Sequence, residues 1–537
     1  MELISQHTKK IMEGCKERAR DAGLRFDAET LEYIVTNRDL LELSPKVMIP
    51  TLYDYWVHDV EVLKEKGIYE LYPHNPYETV INTRPAISFY NDNNPDWLNV
   101  MIFYHVLAHI DFFQNNLAYR QTWEFDLAGE ALADKRLIAR LRSEHGRWVD
   151  YVIEFARGID NLVGYHTELG RYHTPHPGGF SKRLDYYFDI FLQAHKKVRV
   201  AEYIKEIERY NDCVARFGEM GEETFFAEVA VKHPEFEAVY AKSHGVGTER
   251  RFDLFEFLRE CSPVLNRDDN RWMLSVLEVV RKTSLYFQPQ IRTKTMNEGW
   301  ASYWHEKLFL QDERIKGHEV DFARVHAGVT SLPRVGLNPY ALGMRLFSYL
   351  EELADKGKLT HDYHRLTDSH ARDEYDARTG SGLDFIFHVR ENYTDFLFLN
   401  RFVDQEFVTR HKLFVAGKRL NRQRMTWQYY VKSRKAADYR QMLLDSLYHP
   451  PHVTVDLDMT DGDTLHLVHH FEGKPLVKEF IANTLLGIEF LWGSAVCLET
   501  SEVAAVEQPA REGEEPRVTW QRVVYRMEER KLSRAEL

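Results

Sequence analysis

The chain has 537 residues, 44% of them apolar and 28% charged, a composition expected of a soluble globular protein long enough for several domains and a large core. Its formal net charge of −13 argues against a general nucleic-acid binder, which needs a basic face. Four scattered cysteines (Cys15, Cys213, Cys261, Cys497), none in a CxxC pair, argue against a disulfide framework or a Cys-rich zinc site and fit a reducing compartment.

Met1 to His7 has no basic segment leading into an apolar run, and no stretch reaches the ~18 uncharged apolar residues of a membrane span. The expectation is a cytoplasmic protein without signal peptide or transmembrane helix. Residues 1–70 read as helices, because apolar side chains recur at helical spacing in Leu31, Ile34, Leu40 and Leu41 and again in Leu52, Trp56, Val60 and Leu63. Residues 78–90 are β-branched and broken by Pro85, which predicts a short extended or hairpin segment. Asn94, Pro95 and Asp96 then read as N-cap, first helical residue and first-turn acid of a helix that carries His105 and His109.

Helices are expected over 122–143 and 146–161, a Pro/Gly loop at His173–Gly179, and further helices to residue 260. Asp268–Phe287 is amphipathic and should stop at Pro289. A helix over Met296–Leu310 follows, then a loop at Ser331–Tyr340 and a helix over 340–356. After residue 365 the pattern changes. Phe385–Val389 and Phe396–Leu399 read as short strands. Val453–Asp458 and Leu465–His470 alternate at period two around Thr460–Asp463, whose Asp-Gly step is a hairpin signal. A helix at 475–491, strands near 493–499 and 518–526, and a Glu-rich loop at Glu507–Pro516 complete the chain. The expected architecture is mainly α: a large helical N-terminal domain (1–365) and a smaller α+β C-terminal domain (366–537). No internal repeat, GxGxxG, Walker A or GxSxG motif is present.

Two stretches carry metal-type ligands on a helix face. His105 and His109 are one turn apart, and Glu298 and His305 are two turns apart, so each pair shares a face. Phe103, Leu107, Phe112 and Phe113 predict that the first helix is buried, where two imidazoles need partners. Trp300, Tyr303 and Trp304 predict partial burial of Glu298, which must then be paired, protonated or metal-bound. The competing structural reading is an ion pair of Glu298, for instance with Arg292 or Lys294 or with a more distant arginine. His305 is followed by Glu306 and Lys307, which suggests a helix emerging into solvent there. Asn116 shares the His105 face and is a candidate second-layer hydrogen-bond donor.

Other histidines and acids have plainer readings. His173 and His176 fit a solvated loop better than a metal loop, and His469-His470 on a strand point to opposite faces. Glu130 and Asp134 share a face that is solvated by default, and His326 with Asn338-Pro339-Tyr340 reads as structure near the same pocket. The set His-xxx-His plus a distant glutamate resembles that of gluzincin metallopeptidases, with one departure. Val106 stands where the general-base glutamate of HExxH would follow the first histidine. Either another carboxylate serves (Asp111, Glu124 and Glu130 are near in sequence), or the site is not a peptidase.

Six segments taken together resemble the SpoVR family, stage V sporulation protein R and its relatives. They are Tyr77–Asn82, His105–Asn116, Met296–His305 (MNEGWASYWH), Asn338–Gly343, Phe387–Glu391 and Leu491–Gly493, and the resemblance runs from residue 10 to 500. It implies a link to spore cortex formation, in a family that also occurs in bacteria that do not sporulate, and it includes His105, His109, Asn116, Glu298 and His305. It also implies that the missing peptidase glutamate is shared, and it places Ala108 where relatives are expected to carry glycine. Two functions follow as expectations. In the first, a divalent metal, zinc foremost, is held by His105, His109, Glu298 and His305. Glu298 and His305 are then also the catalytic candidates, for hydrolysis of an amide-type bond such as those of peptidoglycan. In the second, the same residues form a structural or sensing site of a non-catalytic regulator whose C-terminal domain docks a protein partner. Neither involves nucleic acid or a membrane span.

Overall fold

The computed structural model describes residues 2–27, 29–36, 78–120, 122, 127–163, 181–196, 198–242, 253–333, 335–421, 426–447, 450–507 and 517–537. The expected helices between residues 37 and 70, together with Glu124, His173 and His176, lie outside them. The chain is mainly helical, and strands return from Val415 to Glu536, so the mainly α class with a sheet-containing C-terminal region holds. Contacts divide it into two compact units, Met1–Ala133 with Tyr286–Tyr448 and Asp134–Leu285 with His449–Leu537. No helix among the described residues is long and apolar enough to cross a membrane.

The first unit opens with β1 (Glu2–Leu3), α1 (Gln6–Asp21), β2 (Thr30–Val35), β3 (Glu78–Ile81) and β4 (Ala86–Asn91). They form a sheet in the order β1-β2-β4-β3, with β3 and β4 as the expected hairpin and β2 parallel to β4. The helix expected around Leu31 and Ile34 is therefore a strand. The three-residue spacing of Leu31 and Ile34 is helical, but in the strand Leu31 is exposed while Glu32 and Val35 are buried, and pairing with the distant β4 decides the matter. In β2 the buried Glu32 carboxylate is held by Lys16 of α1 at 3.2 Å.

The centre of the unit is α2 (Asp96–Asn115), which starts one residue later than expected, with Pro95 as N-cap. Every residue from Leu98 to Phe113 is buried, so this helix is enclosed on all sides rather than amphipathic. Beside it runs α3 (Lys294–Gln311), on which α4 (Glu319–Thr330) and α5 (Pro339–Asp355) pack. Helices α3 and α5 cross at Gly299 and Gly343, where a Cβ on either glycine would overlap the other helix's backbone. Only glycine permits that approach.

Phe385–Val389 and Phe396–Leu399, expected as strands, lie in α6 (Gly382–Asn392) and α7 (Asp395–Phe402). A short apolar run does not separate strand from buried helix. In α6, Ile386, Val389 and Arg390 are buried at helical spacing, and in α7 the buried set is Asp395, Leu397, Phe398, Leu399 and Phe402. The Asp395 carboxylate accepts hydrogen bonds from the backbone N–H groups of Thr295 (2.7 Å) and Met296 (2.8 Å), so α7 caps the first turn of α3. A two-stranded hairpin that the sequence pattern does not announce, β5 (Val415–Asn421) with β6 (Thr426–Ser433), precedes α8 (Ala436–Ser446).

In the second unit the expected hairpin is present as Val453–Val455 and Thr464–His469, antiparallel. Thr464–His469 then runs parallel to Ala495–Glu507, and the helix Lys478–Trp492 makes the crossover between them. Arg517–Glu528 and Lys531–Glu536 complete a five-stranded sheet. The crossover helix ends at Gly493, whose φ of 94° is the left-handed cap that glycine favours. The helix expected to stop at Pro289 runs on from Arg271 to Arg292. Pro289 falls in its last turns, where a missing N–H removes one bond without breaking the helix.

Candidate metal centre

Helix α2 sets His105 and His109 one turn apart with their rings edge to face, 4.6 Å between centroids. They are 5% and 6% exposed. Helix α3 presents Asn297 and Glu298 to the same place. His105, His109 and Glu298 each offer one ligand atom, and the three atoms lie within 4.8 Å of one another. The Gly299–Gly343 crossing holds α3 from the other side, so the position of Glu298 is fixed by backbone contact.

Hydrogen bonds set the orientation of His109. Its Nδ1–H donates to Asn297 Oδ1 at 2.9 Å, because an amide oxygen only accepts. In a neutral imidazole Nε2 then carries the lone pair, and it faces Glu298 Oε2 at 3.6 Å. Two acceptors opposed in this way need a proton or a cation between them. Glu298 thus meets an imidazole.

His305 is 1% exposed, so the helix does not emerge into solvent at that residue. A step of one residue turns the helix face by about 100°, and it is the neighbouring Glu306 that reaches the surface, with its side chain 40% exposed. His305 Nδ1 lies 2.9 Å from His105 Nδ1, and His305 Nε2 lies 2.8 Å from His326 Nδ1. Both ring nitrogens of His305 are thus engaged by other histidines. Burial holds the His105 imidazole well below its ordinary value, with His109 and His305 adding to the effect and a hydrogen bond to the Ala301 backbone opposing it. Burial acts likewise on His305, reinforced by His326 and His109. Both rings are neutral near pH 7, the state in which imidazole ligates a metal.

The structure places the remaining candidates elsewhere. Asn116 is the C-cap of α2, and its amide donates to the carbonyl oxygens of Arg390 (2.7 Å) and Tyr393 (2.8 Å), so it is not a second-layer donor to His105. Asp111 is fully buried, accepts from Trp300 Nε1 at 2.8 Å and pairs with Arg390 at 3.2 Å. It ties α2 to α3 and α6 and is not a base for the centre. Asp134 faces Lys282 at 3.9 Å, and Glu130 is partly exposed. In the second unit, His469 Nδ1 meets Thr500 Oγ1 at 2.8 Å and His470 Nε2 meets Thr454 Oγ1 at 2.7 Å. Asn338 caps α5 by accepting from Ala341 N–H, and the next-but-one residue, Tyr340, stacks 6.3 Å from His105. Two residues of the site lack a sequence signal of their own: Asn297, hidden beside Glu298, and His326, which reads as a structural histidine.

Two imidazoles and one carboxylate form the ligand set of a catalytic zinc site, which keeps a further position open. Such a set without the HExxH base, with Val106 in its place, departs from the peptidase pattern. "Uncharacterized protein YcgB" of Escherichia coli strain K12 is similar to this chain, 25% identical over 336 residues, which cover 60% of this chain and 59% of the relative. The match therefore spans less than two thirds of that relative's length. No solved structure matches the chain significantly. The family model described as "SpoVR like protein" matches residues 2–449, and the chain belongs to the SpoVR family.

Proposed function

We propose that His105, His109 and Glu298 hold a divalent cation, with zinc the ion that best suits two imidazoles and a carboxylate, and that the protein is a metal-dependent hydrolase of an amide-type bond. The observation that carries this reading is the 3.6 Å approach of His109 Nε2 to Glu298 Oε2 while the His109 Nδ1 proton is committed to Asn297. A cation there supplies Lewis acidity and lowers the pKa of a water in its open position. Glu298 binds and orients, and His305 lies behind His105 as the buried imidazole nearest the centre. The family's link to the spore cortex is the reason for naming peptidoglycan-type amides as the substrate class. The four free thiols, Cys15, Cys213, Cys261 and Cys497, agree with a reducing, cytoplasmic setting.

The near-complete burial of both histidines supports a second reading, a structural or sensing metal site in a regulator that engages a protein partner through its C-terminal region. Turnover separates the two. With the zinc-loaded protein and a panel of muropeptide amides, the hydrolase reading expects cleavage that Glu298→Gln abolishes without loss of the folded far-UV spectrum. Equal cleavage by both proteins, or none by the wild type, contradicts it.

A further inference from the structure

Four side chains form a continuous line from the surface to the proposed centre. Glu306 Oε1 stands 3.5 Å from His326 Nε2. His326 Nδ1 stands 2.8 Å from His305 Nε2, and His305 Nδ1 stands 2.9 Å from His105 Nδ1. His305 and Glu306 are neighbours on α3, and each engages one nitrogen of the same His326 ring on α4. That ring is fixed from its side by stacking on Phe322, with 5.2 Å between centroids.

Each nitrogen-to-nitrogen contact requires one proton, and the acceptors at the two ends of the line, the Glu306 carboxylate and the Ala301 carbonyl that accepts from His105, bear on which nitrogen carries it. A carboxylate only accepts, so the Glu306 charge 3.5 Å from His326 Nε2 favours hydrogen on that nitrogen and a bare Nδ1. His305 Nε2 must then donate to it, which leaves His305 Nδ1 bare. His105 Nδ1 must in turn donate to His305, which leaves His105 Nε2 as a lone pair. The arrangement matches that of His109, where Asn297 holds the Nδ1 proton and Nε2 is left for the centre. A ligating imidazole is held in this way when its other nitrogen donates to a second-layer group.

We propose that Glu306 and His326, acting through His305, are positioning residues that preset His105 as an Nε2 ligand, so that the charge of one surface carboxylate governs cation affinity at the buried centre. The proposal rests on the reading of His105, His109 and Glu298 as a cation site. Reversing the charge at the outer end of the line favours the opposite proton order in every ring, against the Ala301 carbonyl at the inner end. Glu306→Lys supplies a donor, drives the proton of His326 to Nδ1 and that of His305 to Nδ1, and places hydrogen on His105 Nε2. Glu306→Gln offers both a donor and an acceptor and leaves the direction unset.

Two measurements on the full chain test this. Cobalt(II) titration, read from its visible absorption, should show affinity about 10- to 100-fold lower in Glu306→Lys than in wild type, with Glu306→Gln between them. Nitrogen-15 spectra of the metal-free, histidine-labelled protein should show the His105 hydrogen on Nδ1 in wild type and on Nε2 in Glu306→Lys. A purely structural role for Glu306 would leave that tautomer in place. An unchanged tautomer, or equal cobalt affinity in all three proteins, overturns the proposal. Should the wild type bind no cobalt while the tautomer still reverses, the relay stands and the cation reading falls.

Discussion

Asn297 Oδ1 accepts the Nδ1 proton of His109 at 2.9 Å, so a residue on one helix decides which nitrogen of a histidine on another is available to the site. Replacing that amide should weaken cation binding more than it weakens the fold. Asn297→Leu, of similar volume but without an acceptor, is expected to lose about 10- to 100-fold in metal affinity. Competition with a chromophoric chelator measures this, and Asn297→Asp, which keeps an acceptor oxygen, should recover most of the loss.

The crossing of α3 and α5 leaves no space for a methyl group at Gly299, whereas a Cβ at Gly328 of α4 meets nothing within 4 Å. Gly299→Ala should therefore destabilise by at least about 1–3 kcal/mol through overpacking. Gly328→Ala should be neutral or stabilising by up to about 1 kcal/mol, because alanine is the better helix former. Chemical denaturation of the two variants tests the contrast, and equal effects would mean that the two helices do not cross as closely as described.

Asp395 provides a pH signature. Burial pushes its carboxyl up to about 7 from an ordinary value of 3.8, against the opposing pull of the Thr295 and Met296 amides. A folded-state value above the unfolded one means that the folded protein holds the extra proton. The corresponding stability is complete below the ordinary carboxylate value and is lost as pH rises through about 7. Relative to Asp395→Asn, which does not titrate, the wild type should lose stability between about pH 4 and pH 8. Denaturation midpoints across that range read the difference, and parallel profiles would contradict it.

The parts of the site that follow from helix periodicity are legible in the sequence. His105 and His109 share a face by spacing alone, and the aromatic surroundings of Glu298 mark a carboxylate that needs a partner. His305 is harder to read, because the charged Glu306 and Lys307 beside it are neighbours in sequence but lie on other faces of the helix. The contribution of Asn297 depends on which helix packs opposite, and that of His326 on where α4 lies, and neither is a local property. The same division holds for the fold. The hairpin at β3 and β4 and the strands around Asp461-Gly462 carry their own turn signals. The Thr30–Val35 strand depends on a parallel partner more than fifty residues along the chain, and the apolar runs of α6 and α7 are too short to show a period.

The central claim is that His105, His109 and Glu298 bind a cation, and elemental analysis of the purified protein beside His109→Ala and Glu298→Gln tests it most directly. The account predicts about one equivalent of zinc or a similar divalent metal in the wild type, lost from His109→Ala and reduced in Glu298→Gln. Folded wild-type protein that takes up no metal on reconstitution, or variants that retain a full equivalent, would contradict it.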